Sequence, residues 1–396
     1  MNQKIKIIKD TKTLNSYVNG WLTSSFITVD TEFIRDKTYW PKLCLIQIGG
    51  EQESVIIDPL SKDIDLESLL KLLNDTTVLK VFHAARQDLE VFYHLNGKIP
   101  SPIFDTQVAA SVCGFGDAAG YEKLVNKLVG EKIDKTLRFT DWSQRPLSDK
   151  QLSYALSDVS HLRIIYEKLR KKLSDTGRES WIKEDMNTLL NISNYDINPL
   201  QVWRKIKTRG GSNRFYVILR EIASWREIEA RKKNIPRGRI LKDEAINEIA
   251  AIAPSSVSEL SKVRSLKNRK GDIQWGDAII NCVKVAIESP KNSWPTPPEK
   301  KETYRGVEPM MDLLKVLLKT QCETAEVAQR IVANNYDLQR IAAMPVKALE
   351  ARSDEIAALK GWRREIFGEL ALALKAGRLA FTIENENIKI LRINEI

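Results

Sequence analysis

The sequence predicts an α/β domain followed by two all-α domains. Three observations carry that prediction. The first hundred residues alternate short apolar runs with stretches of helical period. From about residue 121 the period is mainly helical. Two breaks, Asn198-Pro199 and the proline-rich SPKNSWPTPPEK at 289–300, then divide the remainder. A chain of 396 residues is also too long for one ordinary core, because domains run to about 100–200 residues.

Taken in order, FITVD (26–30), KLCLIQIGG (42–50), SVIIDP (54–59) and LKVFHA (79–84) read as strands. DLESLLKLLND (65–75) and RQDLEVFYHL (86–95) place apolar residues at helical spacing and should cover the sheet. Ser148 opens a helix to about Leu173, because Ser148 and Gln151 form a capping-box pattern ahead of an apolar-periodic run. Beyond Gly210-Gly211 a helix is expected from about 212 to 233, broken by Pro236-Arg237-Gly238, with further helices at 243–252, 256–262 and 275–288. Residues 308–378 look helical throughout, and AFTIENENIKILRI alternates about its centre as a terminal hairpin would. The two helical modules have similar lengths, which points to a duplicated unit without a residue-level repeat.

The formal net charge of +10 is concentrated. Residues 201–300 hold 21 Lys/Arg against 11 Asp/Glu, while 1–200 hold 26 against 27 and 301–396 hold 15 against 14. A positive field of that kind suits a polyanion; a solvated basic face is the plainer account. Arg204, Lys205, Lys207, Arg209, Arg214 and Arg220 form one cluster, and Arg231, Lys232, Lys233, Arg237 and Arg239 another, with Trp203, Phe215, Tyr216 and Trp225 among them. Phosphate contacts with some stacking are expected of the patch as a whole, with Phe215 and Trp225 in the core. No window approaches the roughly 18 apolar residues of a membrane span, and MNQKIKIIKD is too polar for a signal-peptide core, so a cytoplasmic location without a membrane partner is expected. Cys44, Cys113, Cys282 and Cys322 lie far apart without metal-ligand spacing and read as buried free thiols.

Three acidic groups stand out. Asp30 and Glu32, two apart at a strand end, share one face. Asp88 falls in the first turn of a helix that follows a strand, where an acid suits the helix dipole. Tyr154 and Asp158, four apart on a helix, also share a face. Each group alone has an ordinary structural explanation. Clustered carboxylates are nevertheless what holds two divalent ions roughly 4 Å apart for phosphodiester hydrolysis, and hard oxygen ligands select Mg²⁺ or Mn²⁺. No Cys/His set has zinc spacing.

In order and context, VDTEF (29–33), HAARQDLEVF (83–92) and YALSD (154–158) resemble the three motifs of the DEDD superfamily of 3′→5′ exonucleases, in the subgroup with tyrosine in the third motif. KLCLIQIGG, FDTQ around Asp105 and the run from Gly120 to Leu162 extend the resemblance to the ribonuclease D family over about 20–170. SNRFYVILREIASWREIEARKKNIPRGRIL, running on to about 290, resembles the helicase-and-RNase-D C-terminal (HRDC) domain, and 308–378 looks like a second, diverged copy. The resemblance implies a ribonuclease H-like exonuclease domain at 1–195, a basic, RNA-binding HRDC domain at 205–290, a second HRDC-like domain at 305–380 and a tail at 381–396. It implies stepwise hydrolysis from an RNA 3′ end to 5′-mononucleotides, with transfer RNA precursors or other structured RNA as partner and no obligate protein partner. Asp30, Glu32, Asp88 and Asp158 would hold two Mg²⁺ or Mn²⁺ ions, Asp30 bridging and Asp88 acting through water.

Tyr154 would orient the attacking water, since an ordinary tyrosine pKa near 10 makes a poor base. His83, His94 and His161 are read as packing or hydrogen-bonding residues, His161 being the one to test. Phe33 would wedge against the terminal base or pack in the core. Gln47 and Asp105 look like supporting positions. Lys135, Trp142 and Arg145 either meet substrate or belong to a packed connection. A catalytically silent RNA-binding scaffold and a DNA-trimming exonuclease of the same superfamily are the competing functions.

Overall fold

A computed structural model describes residues 5–134, 136–137, 140–266, 275–297 and 304–393; Lys135 lies outside them. The α/β domain is a six-stranded mixed sheet in the order β1 (Ile7–Ile8), β4 (Ser54–Ile57), β3 (Lys42–Gly49), β2 (Phe26–Ile34), β5 (Leu79–Phe82), β6 (Ile103–Asp105). Only β3 runs antiparallel to its neighbours. On one face lie α1 (Thr11–Trp21), α2 (Glu67–Leu73) and α3 (Arg86–Asn96), around Ile27, Val29, Ile46, Ile48, Leu89 and Phe92. The long expected helix forms as α6 (Asp149–Asp175), opened by the Ser148–Gln151 capping box, and it crosses the other face; α4 (Thr106–Ser111) and α5 (Tyr121–Leu124) precede it. Its close approach depends on Gly49, where a Cβ would stand 2.2 Å from Thr28 Oγ1 and 3.0 Å from the Val159 carbonyl oxygen.

The sequence reading missed β1 and α1. Two residues are too few to show a period, and α1 carries only Leu14, Val18 and Trp21 on its buried stripe.

After α7 (Lys183–Leu189) come two helical modules. The first contains α8 (Asn213–Lys233), α9 (Arg237–Ile240), α10 (Asp243–Ile252), α11 (Val257–Leu260) and α12 (Gly276–Glu288). The second contains α13 (Glu308–Thr324), α14 (Gln329–Val332), α15 (Asn335–Ala343), α16 (Val346–Ala351), the short α17 (Gly361–Arg363) and α18 (Glu369–Lys375). Long helix, single turn, medium helix and short helix follow one another in both. Their relations to the α/β domain differ. The first module closes its own core, to which the α/β domain contributes Tyr39. In the second, Leu314, Leu317, Leu338, Ile341 and Phe367 form one continuous core with Val112, Ile165, Leu169 and Leu173. Trp181 stacks on Trp362 at 4.5 Å between ring centres, and Arg363 bonds Glu184 at 2.8 Å. The expected hairpin forms as β7 (Leu379–Glu384) and β8 (Asn387–Arg392). All four cysteines are free, three of them buried and Cys282 half-buried. Among the described residues no helix is long and apolar enough to cross a membrane.

Candidate active site

Strand period decides which side chains face α6. Thr28 donates its hydroxyl to the Val159 carbonyl at 2.8 Å, so Thr28, Asp30 and Glu32 point toward that helix. Thr31 and Phe33 point the other way, toward α3, and Phe33 is half-buried against the core there. A β-bulge between Glu32 and Phe33 shifts the register with β3 at that point. On α6, Tyr154 and Asp158 share a face as expected, and one carboxylate oxygen each from Asp30, Glu32 and Asp158 come within 4.8 Å of one another. Tyr121 donates its hydroxyl to the main-chain carbonyl of Asp158, pinning the helix where the trio forms. Sequence reasoning passed over Tyr121 because nothing in GYEKL distinguishes it from a core aromatic.

Asp88 stands outside the trio. It reaches the end of β2 from the α3 side, and its Oδ1 accepts the Thr31 hydroxyl at 2.5 Å. Asp105 fixes the turn from which it comes. Its carboxylate accepts the amides of Ala84 at 3.0 Å and Ala85 at 2.8 Å, holding Ala84 at φ 56°, and caps α4 through Gln107 N at 2.7 Å.

The electrostatics are those of uncompensated negative charge. Burial, and then the charge of Asp158, raise the Asp30 pKa well above its ordinary 3.8. Burial followed by the charge of Asp30 does the same to Asp88, against a smaller opposing effect of the Thr31 hydroxyl. Burial pushes Asp158 up to about 7, although a hydrogen bond from Tyr154 pulls it down. Among the described residues no lysine, arginine or histidine pairs with Asp30, Asp88 or Asp158. Asp158 Oδ1 is buried without a hydrogen-bond partner. Carboxylates so placed either hold protons or accept a cation, and hard oxygen donors fit Mg²⁺ or Mn²⁺.

The other expected residues divide. Trp142 is buried and stacks on Tyr154 at 6.2 Å between ring centres. Arg145 grips Asp58 through two bonds of 2.7 and 2.8 Å and the Cys44 carbonyl at 2.7 Å, so this segment is a packed connection. Desolvation lowers the pKa of half-buried His83 to about 4 and the ring bonds Thr106, His94 stacks on Trp40, and His161 pairs with Glu131 at 3.1 Å. None of the three joins the acids.

In the basic module, Arg204, Lys205, Arg209, Arg214 and Lys232 are exposed. Arg231 and Arg237 differ from these, because they are drawn into a junction with the α/β domain. Glu227, fully buried, accepts the hydroxyl of Tyr39 and bonds of 2.9 Å from both Arg231 and Arg237. Asn234, at the end of α8, accepts the amides of Tyr39 at 3.1 Å and Trp40 at 3.0 Å. A run of like charge in the sequence gives no sign of a carboxylate buried among its members.

Comparison with known proteins agrees with this architecture. A family profile described as 3′-5′ exonuclease matches residues 5–174, and one for the HRDC domain matches 217–283. The chain is 43% identical to the ribonuclease D of Gluconacetobacter diazotrophicus, over 97% of this chain and 96% of that one. It is 41% identical to the ribonuclease D of Bartonella henselae, over 98% and 94% respectively. The crystal structure of Escherichia coli RNase D, described as an exoribonuclease involved in structured RNA processing, superposes with a TM-score of 0.79 at 25% identity, covering 94% of this chain and 99% of that one.

Proposed function

The chain belongs to the ribonuclease D family and is a 3′→5′ exoribonuclease, and from that premise we propose that it trims RNA 3′ ends to 5′-mononucleotides by two-metal-ion catalysis, with transfer RNA precursors among its substrates. Asp30, Glu32 and Asp158 would hold the ions, Mg²⁺ or Mn²⁺, with Asp88 completing the set from the α3 side. Bound there, two divalent ions supply charge relief on the attacked phosphate and leaving oxygen and an easier deprotonation of the attacking water. The chain's own residues supply order. Tyr154 would direct its hydroxyl at the water, while Trp142 holds the phenol ring in place. Phe33 at the strand end would meet the terminal base.

The observation that carries this reading is the convergence of Asp30, Glu32 and Asp158, with no protein cation paired to Asp30 or Asp158 among the described residues. Replacing Asp30 with Asn should abolish Mn²⁺-dependent digestion of a 3′-labelled RNA by a folded protein, and persistent digestion would overturn the site assignment. A wild type inert toward every RNA would instead favour the silent RNA-binding scaffold. Faster digestion of a matched DNA strand would favour the DNA-trimming reading.

The body of the RNA would lie along Arg204, Lys205, Arg209, Arg214 and Lys232, without Arg231 and Arg237. We further propose that the second helical module is a diverged HRDC-like domain. Its support is the shared succession of helix lengths, from α8 to α11 in one module and from α13 to α16 in the other.

A further inference from the structure

Gln47 lies on β3 directly opposite Asp30 on β2, so both side chains leave the sheet toward α6. Directly opposed residues hold their Cβ atoms about 4.5–5.5 Å apart, which brings an amide at the end of two methylenes within reach of the Asp30 carboxylate. On its far side Gln47 faces Ile56, which packs with Leu45, Trp142, Leu152 and Ala155 in the apolar layer beneath α6. The side chain is fully buried, and neither Nε2 nor Oε1 makes a hydrogen bond. Buried polar groups are ordinarily satisfied, and an apolar residue would fill this layer at lower cost. Packing therefore does not account for glutamine here. The adjacent polar feature is the acid trio, led by Asp30.

Resting on the metal-site reading above, we infer that Gln47 is a positioning residue for Asp30. Its Nε2 would donate to the Asp30 carboxylate when that carboxylate serves as a ligand. The amide carries no charge, so it orients Asp30 without competing with the ions as a lysine or arginine would. One hydrogen bond forms at the moment the site fills, so the amide's unmet need favours the loaded state. Outer groups that orient metal ligands typically change metal affinity by about 10–100-fold when removed.

The test measures Mn²⁺ binding to the full chain without RNA, by electron paramagnetic resonance or calorimetry, together with the melting temperature with and without Mn²⁺. Gln47→Leu is expected to bind Mn²⁺ about 10–100-fold more weakly. Its metal-free melting temperature should be unchanged or higher, because the leucine leaves no buried donor or acceptor without a partner. Gln47→Met, closer in shape, should behave alike and serves if the leucine variant fails to fold. With RNA present, kcat should fall while KM stays near the wild-type value. A variant that melts lower without metal yet binds Mn²⁺ as tightly as the wild type would show a purely structural role and overturn the inference, leaving the metal site intact. A wild type with no saturable Mn²⁺ binding would remove both, and Asp30→Asn, in which only the site is lost, separates the two failures.

Discussion

Glu227 and Asp158 are both carboxylates taken out of water, yet they stand in opposite company. Burial would raise Glu227, but hydrogen bonds from Arg237 and Tyr39 and the charges of Arg237 and Arg231 outweigh it and hold its pKa below the ordinary 4.5. Asp158 has burial and only a tyrosine hydroxyl against it, and rises to about 7. Two more acids crowd the same place. A buried charge persists only with a partner, and the described residues supply two cations to Glu227 and none to Asp158. The Glu227 site ties the basic module to the loop after β2. The Asp158 site is left incomplete for something from solution.

The strongest way to break this contrast is to remove an acid from each site. Asp158→Asn should lower kcat by about 10³-fold or more, since several kcal/mol of charge stabilisation depend on the ions it helps hold, while the metal-free protein melts no lower than wild type. Glu227→Gln should leave Mn²⁺ binding intact and cost about 3 kcal/mol in denaturant unfolding; Arg237 is 38% exposed, which keeps the loss at the low end for a broken buried pair. Tyr154→Phe sharpens the comparison within the first site. Loss of its hydroxyl should reduce turnover about 100-fold, as misplacement of a reacting group does, with little change in metal affinity.

Titration should separate the sites by sign. Because the Asp158 pKa is raised by folding, its stabilising proton is fully present below 3.8 and lost as pH rises through about 7; the metal-free melting temperature should decline over that interval, and Asp158→Asn should flatten the decline. Glu227 is depressed, so its contribution is present above 4.5 and vanishes as pH falls through its folded value. Glu227→Gln should remove that acid-side loss. The smallest effect concerns the charges outside both sites. Replacing Arg204, Lys205, Arg209 and Arg214 with Gln should reduce the salt slope of RNA binding by about 0.7 for each phosphate no longer neutralised, as filter-binding titrations would measure. If the slope moved only with Arg231 and Arg237, the division between junction and RNA surface would be wrong.

What could be read from sequence was whatever is local. Period two put Asp30 and Glu32 together, and spacing of four on a helix announced by Ser148 and Gln151 put Tyr154 above Asp158. Residues far apart in the chain stayed hidden. Tyr39 meets Glu227 across 188 positions, and no local pattern marks such a pair. Arg231 and Arg237 therefore read as RNA contacts. Asp88 was expected to act through water, but a helix-first-turn position gives no sign of the Thr31 hydroxyl that its carboxylate accepts. Gln47 read as a supporting position, but what it supports stayed hidden until the register placed it opposite Asp30.

The continuous core between the α/β domain and the last helical module has a consequence for synthesis. The wall formed by α4, the end of α6 and residues 179–189 is closed by α13 and by side chains as late as Leu372 and Leu374. As the chain leaves the ribosome, the α/β domain emerges first but keeps an uncovered apolar flank until the second helical module has followed. The first helical module, closing around its own centre, can settle in the interval. A nuclease assembled in that order would gain its full rigidity only after the second helical module has been made.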